Sequence, residues 1–263
     1  MICNKDWNIF MNNLTVVILT KNEESNIVDV VKNAKKSDGE VLVIDSGSTD
    51  KTVELAEANG ARVVYRAWDN DFSAQRNFAL KYVNTEWILY LDADERLNDT
   101  LIVAITEVVK SNQRRQYSIK RKSVAFGKEF NYGVLNPDYV PRLFKTANVT
   151  WVNKVHEKPI CSDKIEILDG YIRHYTYVSW EQWAGKFDQY TSIWADAAYE
   201  RGKKASLLSA VGHALAGFFH MAIIKKGILD GGMGLVMCCN HFFYTMMKYL
   251  KLLELQRNGG KKI

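Results

Sequence analysis

Residues 88–95 read Ile-Leu-Tyr-Leu-Asp-Ala-Asp-Glu, ILYLDADE. Four apolar residues spell a buried strand, and three acids follow them. Crowded carboxylates repel one another, so a cation or a shared proton belongs beside Asp92, Asp94 and Glu95. On an extended backbone side chains i and i+2 share a face, and the spacing predicts that Asp92 and Asp94 aim at one point beyond the strand end. Hard carboxylate oxygens suit Mg2+ or Mn2+, which keep water or phosphate oxygens as further ligands. A D-x-D doublet also reads as a solvated turn before the helix in LNDTLIVAI, since short motifs often match by chance.

What precedes the doublet gives it weight. LTVVILT (14–20), EVLVIDS (40–46), ARVVYR (61–66) and EWILYLDAD (86–94) are strand-like runs. Between them lie EESNIVDVVKNAKK (23–36), with Ile27, Val30, Val31 and Ala34 on one helical face, STDKTVELAEANG (48–60) and FSAQRNFALKYV (72–83). A further helix is expected over about 98–112. Alternating strands and helices predict right-handed crossovers and a mostly parallel sheet. Ligands of such sheets bind outside the carboxyl ends of the strands. Three of those ends carry polar clusters, Thr20–Glu23, Asp45–Asp50 and Asp92–Asp94.

The remaining chain changes character. Short polar strands such as YSIKRKS and YVPRLFK follow from 116, and from about 179 the pattern is helical. The expected division is a catalytic domain over 1–178, with a nucleotide half near 14–112 and an acceptor half near 113–178, and a helical region over 179–263. Residues 1–100 hold 11 Lys/Arg against 17 Asp/Glu, whereas 201–263 hold 10 against 2. An acidic front and a basic tail suggest a cation-dependent site and a membrane-facing end. The net charge of +5 is too mild to argue for nucleic acid. Cys3, Cys161, Cys238 and Cys239 form no paired framework, which fits a reducing cytoplasm. MICNKDWNIFMNN lacks the apolar stretch of a signal peptide.

The runs 207–224 and 231–247 contain no Asp, Glu, Lys or Arg. Their His and Asn residues, the glycines between them and the flanking lysines predict helices lying on a membrane surface rather than spanning it. A homodimer surface and packing on the catalytic core are the competing readings.

Four stretches in this order, VVILTKNEESNI, VLVIDSGSTDKTVELA, FSAQRNFAL and WILYLDADE, resemble family 2 glycosyltransferases of the GT-A fold. VPRLFK, VNKVHEKP and the C-terminal GILDGGMGL and MMKYLKLLELQ are similar to the branch that adds a hexose to the inner core of bacterial lipopolysaccharide or lipooligosaccharide. The resemblance implies an α/β GT-A sheet flanked by helices, with a helical C-terminal appendage. It implies a UDP-sugar donor, UDP-glucose in that branch, and a Mg2+ or Mn2+ cofactor. It implies a lipid-linked core oligosaccharide as acceptor and a peripheral place on the cytoplasmic leaflet of the bacterial membrane.

By the same resemblance Thr20, Asn22 and Glu23 contact the nucleoside, and Asp45 reads the uracil edge. Asp45 reads equally as an Asx-turn in DSGSTD. Arg76 and Asn77 match a position near the diphosphate, with a solvated helix face as the alternative. Asp92 would face the ribose or sugar and Asp94 would bind the metal. In inverting transfer a carboxylate takes the proton of the attacking hydroxyl. The His156-Glu157 step supplies Glu157 for that role, with His156 orienting the acceptor or touching the diphosphate. Glu157 could instead pair with Lys154 or Lys158 on an exposed turn. Arg142 reads either as a guide for a phosphorylated acceptor or as part of a sheet-edge hairpin beside Pro141.

Transfer onto a polyisoprenyl phosphate, nucleotidyl transfer and a non-catalytic binding module are the competing functions. Nucleotidyl transfer usually needs a Gly-rich loop after the first strand, and LTKNEESN has no glycine.

Overall fold

A computed structural model describes residues 13–111, 113, 115–154 and 157–260. His156 and Cys3 lie outside the described residues. Two compact units divide the chain: one holds the residues up to Arg121 together with Asp138–His174, the other Lys122–Pro137 and Tyr175 onward. Segment 122–137, expected in the acceptor half, thus belongs to the unit of the C-terminal helices.

In the first unit the chain runs β1 (Leu14–Thr20), α1 (Ile27–Lys35), β2 (Glu40–Asp45), α2 (Thr52–Ala58), β3 (Arg62–Tyr65), α3 (Phe72–Leu80) and β4 (Trp87–Asp92). Then come β5 (Glu95–Leu97) and α4 (Asp99–Ser111). β6 (Gln116–Ala125) runs on into the second unit, which holds the two-residue β7 (Lys128–Glu129), and β8 (Asp138–Lys145) belongs to the first unit again. β9 (Thr150–Val152), β10 (Lys158–Ile160) and the long β11 (Ile165–Tyr177) follow. The main sheet has the order β3-β2-β1-β4-β8-β6-β11-β5, with β7 paired to β6. β9 and β10 form a separate pair. The first four strands are parallel, and β8 adds antiparallel to β4.

The period of two in the strands explains why both sheet faces are buried. Val16, Ile18, Val41, Val43, Leu89 and Leu91 point into one core with α1 and α4. Val17, Leu42, Ile44, Ile88 and Tyr90 point into the other with Ala79 of α3 and Trp151 of β9. Continuous apolar runs are what a parallel sheet covered on both faces requires. Register then fixes the site. Thr20 pairs with Asp45, and Leu19 pairs with Asp92, so three strand ends lie side by side.

The second unit is mostly helical: α5 (Trp180–Glu200), α6 (Leu207–Phe219) and α7 (Gly231–Arg257). A π-helical turn (His220–Ile224) and a 3-10 turn (Gly227–Asp230) join the last two. Ser179 caps α5, and Ser206 forms a capping box with Ser209 at α6. Ala195 and Ala198 of α5 pack with Leu252 and Leu255 of α7.

Candidate active site

The turn after β4 is not the extended backbone assumed for D-x-D. β4 ends at Asp92, Ala93 and Asp94 form a turn, and Glu95 opens β5. The two aspartates find different protein partners, although both line one cleft. Asp92 Oδ1 accepts from Arg76 Nη2 at 3.1 Å, and Oδ2 accepts from Arg142 Nη2 at 2.7 Å. Asp94 Oδ2 lies 3.2 Å from His174 Nε2 on β11.

The positive partners of the acid cluster are thus arginines. Arg142 also donates to Glu95 Oε1 at 2.8 Å, with Arg121 Nη1 3.5 Å from the same oxygen. Glu95 Oε2 accepts the Asp92 backbone N–H at 3.0 Å. Burial pushes the Asp92 carboxyl up, but the Arg142 and Arg76 charges outweigh it and hold Asp92 well below the usual carboxylate range. Burial pushes the fully buried Glu95 carboxyl up, against the pull of Arg142.

Arg142 is buried on an interior strand and does not sit on a sheet edge. β8 lies between β4 and β6, and Pro141 is accommodated at a register shift between Tyr117 and Ser118 of β6. Each Asp92 oxygen is held by a guanidinium group, while Asp92 still lines the cleft beside Asp94.

Helix α3 delivers Arg76. Asp71 caps it by accepting the Ala74 N–H at 2.9 Å. Gln75 and Arg76 are both buried. The Arg76 guanidinium lies 4.8 Å from the Trp151 ring centroid and 5.4 Å from that of Tyr90. It donates through Nε and Nη2 to Glu157 Oε1 at 3.3 and 3.2 Å. One arginine therefore joins the D-x-D acid and the expected base, and Glu157 is no exposed Lys–Glu turn. A solvated helix face is excluded for Arg76 as well.

These groups line a cleft of about 400 Å³ at the carboxyl edge, with walls from Thr20, Lys21, Glu23, Trp68, Asp94 and Glu157 among others. Trp68 and Phe72 meet edge to face at 4.6 Å on one wall. Three lining residues carry buried polar atoms with no partner among the described residues: Thr20 Oγ1, Gln75 Oε1 and Arg76 Nη1. Such atoms are costly unless a ligand engages them.

Other expected contacts are committed to the protein itself. Asp45 is buried and accepts from Gly47 N at 2.9 Å, Ser48 N at 3.0 Å and Ser48 Oγ at 2.5 Å, the Asx-turn reading. Asn22, at a left-handed φ of 55°, accepts the Thr49 N–H at 2.8 Å and ties the first two loops together. Glu23 remains at the cleft, although its Oε2 accepts from Asn26 Nδ2 at 2.8 Å.

Asn77 is spent on the backbone of Trp151, donating to its carbonyl at 2.7 Å and accepting its N–H at 2.8 Å. Asn77→Ala should cost about 1–3 kcal/mol of stability and leave nucleotide affinity unchanged. Urea unfolding beside a UDP titration checks both.

His174, Gln75, Trp68 and Lys21 were not anticipated as site residues. Gln75 adjoins the quoted Arg76-Asn77 pair. His174 carries no spacing signal, being brought to Asp94 by the antiparallel pairing of β11 with β5.

Among the described residues no group of three or more His, Cys, Asp or Glu could hold a metal. Asp94 and His174 nevertheless fit an ion that draws its remaining ligands from water and a diphosphate. Mg2+ and Mn2+ sites at phosphates commonly use so few protein ligands.

A mostly parallel α/β sheet with its cleft at the carboxyl ends, flanking helices and a C-terminal helical region constitutes the GT-A fold of nucleotide-sugar-dependent glycosyltransferases. Residues 15–158 match Glycosyl transferase family 2, and the chain belongs to that family. It is 29% identical to an uncharacterized glycosyltransferase of Rickettsia typhi over 93% of this chain and 88% of the relative. It is 31% identical to the glycosyltransferase SunS of Bacillus subtilis over 56% of this chain and 35% of that protein. Among solved structures, Staphylococcus aureus TarS 1–349 in complex with UDP aligns with a TM-score of 0.46 at 16% identity, over 94% of this chain and 91% of that one.

Proposed function

We propose that the protein is an inverting, metal-dependent hexosyltransferase that moves glucose from UDP-glucose to a sugar of the lipopolysaccharide or lipooligosaccharide inner core. One observation carries the donor reading: unpartnered Thr20 Oγ1, Gln75 Oε1 and Arg76 Nη1 line a cleft that also holds Asp94. A nucleoside diphosphate sugar supplies both donors and acceptors for those atoms. Lys21 and Arg76 supply positive charge for its phosphates.

Asp94 and His174 would hold a divalent ion. When bound, that ion offsets the charge on the departing diphosphate. Asp92, fixed by two arginines, faces the donor as a hydrogen-bond acceptor. Glu157 takes the proton from the acceptor hydroxyl as the new bond forms at the anomeric carbon. Arg76 orients Glu157 and, through its unpaired Nη1, reaches the donor. The sequence of the C-terminal part supports the inner-core branch, and a lipid-anchored acceptor would be met at the cytoplasmic face of the bacterial membrane.

A panel of UDP- and GDP-hexoses with Mg2+ or Mn2+, assayed for transfer to truncated core acceptors, tests this reading. Transfer of glucose from UDP-glucose, with inversion in the product, is expected. Transfer from a GDP-sugar, or to a polyisoprenyl phosphate in place of core sugars, would overturn the donor or the acceptor part.

A further inference from the structure

Helix α6 and the turn after it, Leu207–Ile224, form the one segment among the described residues that is long and apolar enough to cross a membrane. Only 17% of that segment is buried. The second uncharged run, 231–247, lies within α7 and does not meet the same criterion. α6 turns Ala210 and Ala214 inward, and Ala222 follows on the same buried side. At Gly217 an added Cβ would meet the His241 ring at 3.3 Å and Thr245 Oγ1 at 3.5 Å, so α7 approaches closely there.

The opposite face carries Leu208, Val211, Leu215, Phe219 and Ile223, spaced by three and four residues and all exposed. Leu208 is 83% exposed. The exposed side of α5, in the same unit, mixes Trp180, Tyr190 and Ile193 with the polar Glu181, Gln182, Asp188, Gln189 and Glu200. α6 has no charged residue at all. A contiguous apolar face of this kind marks an interaction surface.

Charge at its ends selects the partner. Lys203 and Lys204 precede α6, Lys225 and Lys226 follow the π-helical turn, and all four are exposed. Eighteen helical residues span about 27 Å, so a cationic pair sits at each end of an apolar rod. Lysines at both ends of an exposed apolar helix suit one that lies along an anionic bilayer, with its apolar side in the acyl boundary and its ends at the headgroups. Exposed Ile228 and Leu229 extend the apolar surface beyond Lys226. A second copy of this chain fits less well. Two α6 faces packed together, in either direction, would bring lysine pairs onto lysine pairs.

We infer that the outer face of α6 and the following turn, flanked by Lys203, Lys204, Lys225 and Lys226, is a docking surface for anionic phospholipid bilayers. The helix lies in the interface and does not span it. The surface is read without reference to the transfer chemistry, so vesicle binding and UDP binding can fail separately.

Co-sedimentation of the full chain with vesicles tests it, using phosphatidylcholine alone and phosphatidylcholine with roughly 30% phosphatidylglycerol. The wild type should sediment with the anionic vesicles and be released as salt rises. Lys225→Glu/Lys226→Glu should weaken that binding by at least about 25-fold, at about fivefold per lysine. Leu208→Asp/Phe219→Asp should abolish it, while UDP binding and the unfolding temperature stay at wild-type values as the check on folding. Wild-type protein left in the supernatant with both vesicles would overturn the inference, as would sedimentation unchanged in both variants. A dimer in solution that Leu208→Asp/Phe219→Asp dissociates, without vesicle binding by the wild type, would assign the face to a second copy instead.

Discussion

Glu157→Gln is expected to lower kcat by about 10²–10⁴-fold, the usual contribution of a positioned general base, with UDP affinity retained. The amide keeps an oxygen that can accept from Arg76, so the side chain can stay where Arg76 Nε and Nη2 now hold the carboxylate at 3.3 and 3.2 Å. What it loses is the ability to take a proton. The acceptor hydroxyl then attacks without a base, and the loss appears in kcat rather than in donor binding. A variant with wild-type kcat would remove Glu157 from the proton transfer. A variant that loses UDP binding would make Glu157 a structural partner of Arg76.

Arg142→Met should produce the largest loss of stability, about 3–5 kcal/mol, the range for removing one member of a buried ion pair. Methionine fills much of the same space, so packing contributes little. The cost lies in Glu95 Oε1 and Asp92 Oδ2, both of which lose a charge-assisted bond from Arg142. Arg121, at 3.5 Å, reaches Glu95 only in part. Urea unfolding followed by tryptophan fluorescence reads the loss as a shift in midpoint. A change below about 1 kcal/mol, as in an exposed pair, would mean that water already compensates these acids. Because Asp92 shapes the cleft, UDP affinity should fall in the same variant even under conditions where it remains folded.

The first four strands were legible because a parallel sheet buried on both faces writes itself as β-branched apolar runs. LTVVILT became β1 residue for residue. The convergence of Thr20, Asp45 and Asp92 followed from strand order alone, as the register confirms. Less legible was everything set by pairing at a distance. β5 is three residues, ERL, with no alternation to mark it. Its partner β11 is long, but Gly170, at a φ of 93°, interrupts its pattern. The pairing of those two strands is what carries His174 to Asp94.

The interior place of Arg142 was not legible because Pro141 signals a sheet edge, and the register shift opposite it leaves no trace in the sequence of β8. Asp45 makes the contacts of its local Asx-turn reading. Gly47 and Ser48 offer three donors within three residues. Asp92 and Asp94 showed that acids follow β4 but not that Arg76 and Arg142 would claim the first of them. The arginines come from α3 and β8, 16 and 50 residues away.

Calorimetric titration of UDP, with and without Mn2+, into the wild type and Asp94→Ala gives the most direct test of the cation-and-diphosphate site. Mn2+ should tighten UDP binding to the wild type, and that gain should vanish in Asp94→Ala while metal-free affinity is unchanged. An ion-dependent gain of equal size in Asp94→Ala would contradict a divalent ion held between Asp94, His174 and the donor diphosphate.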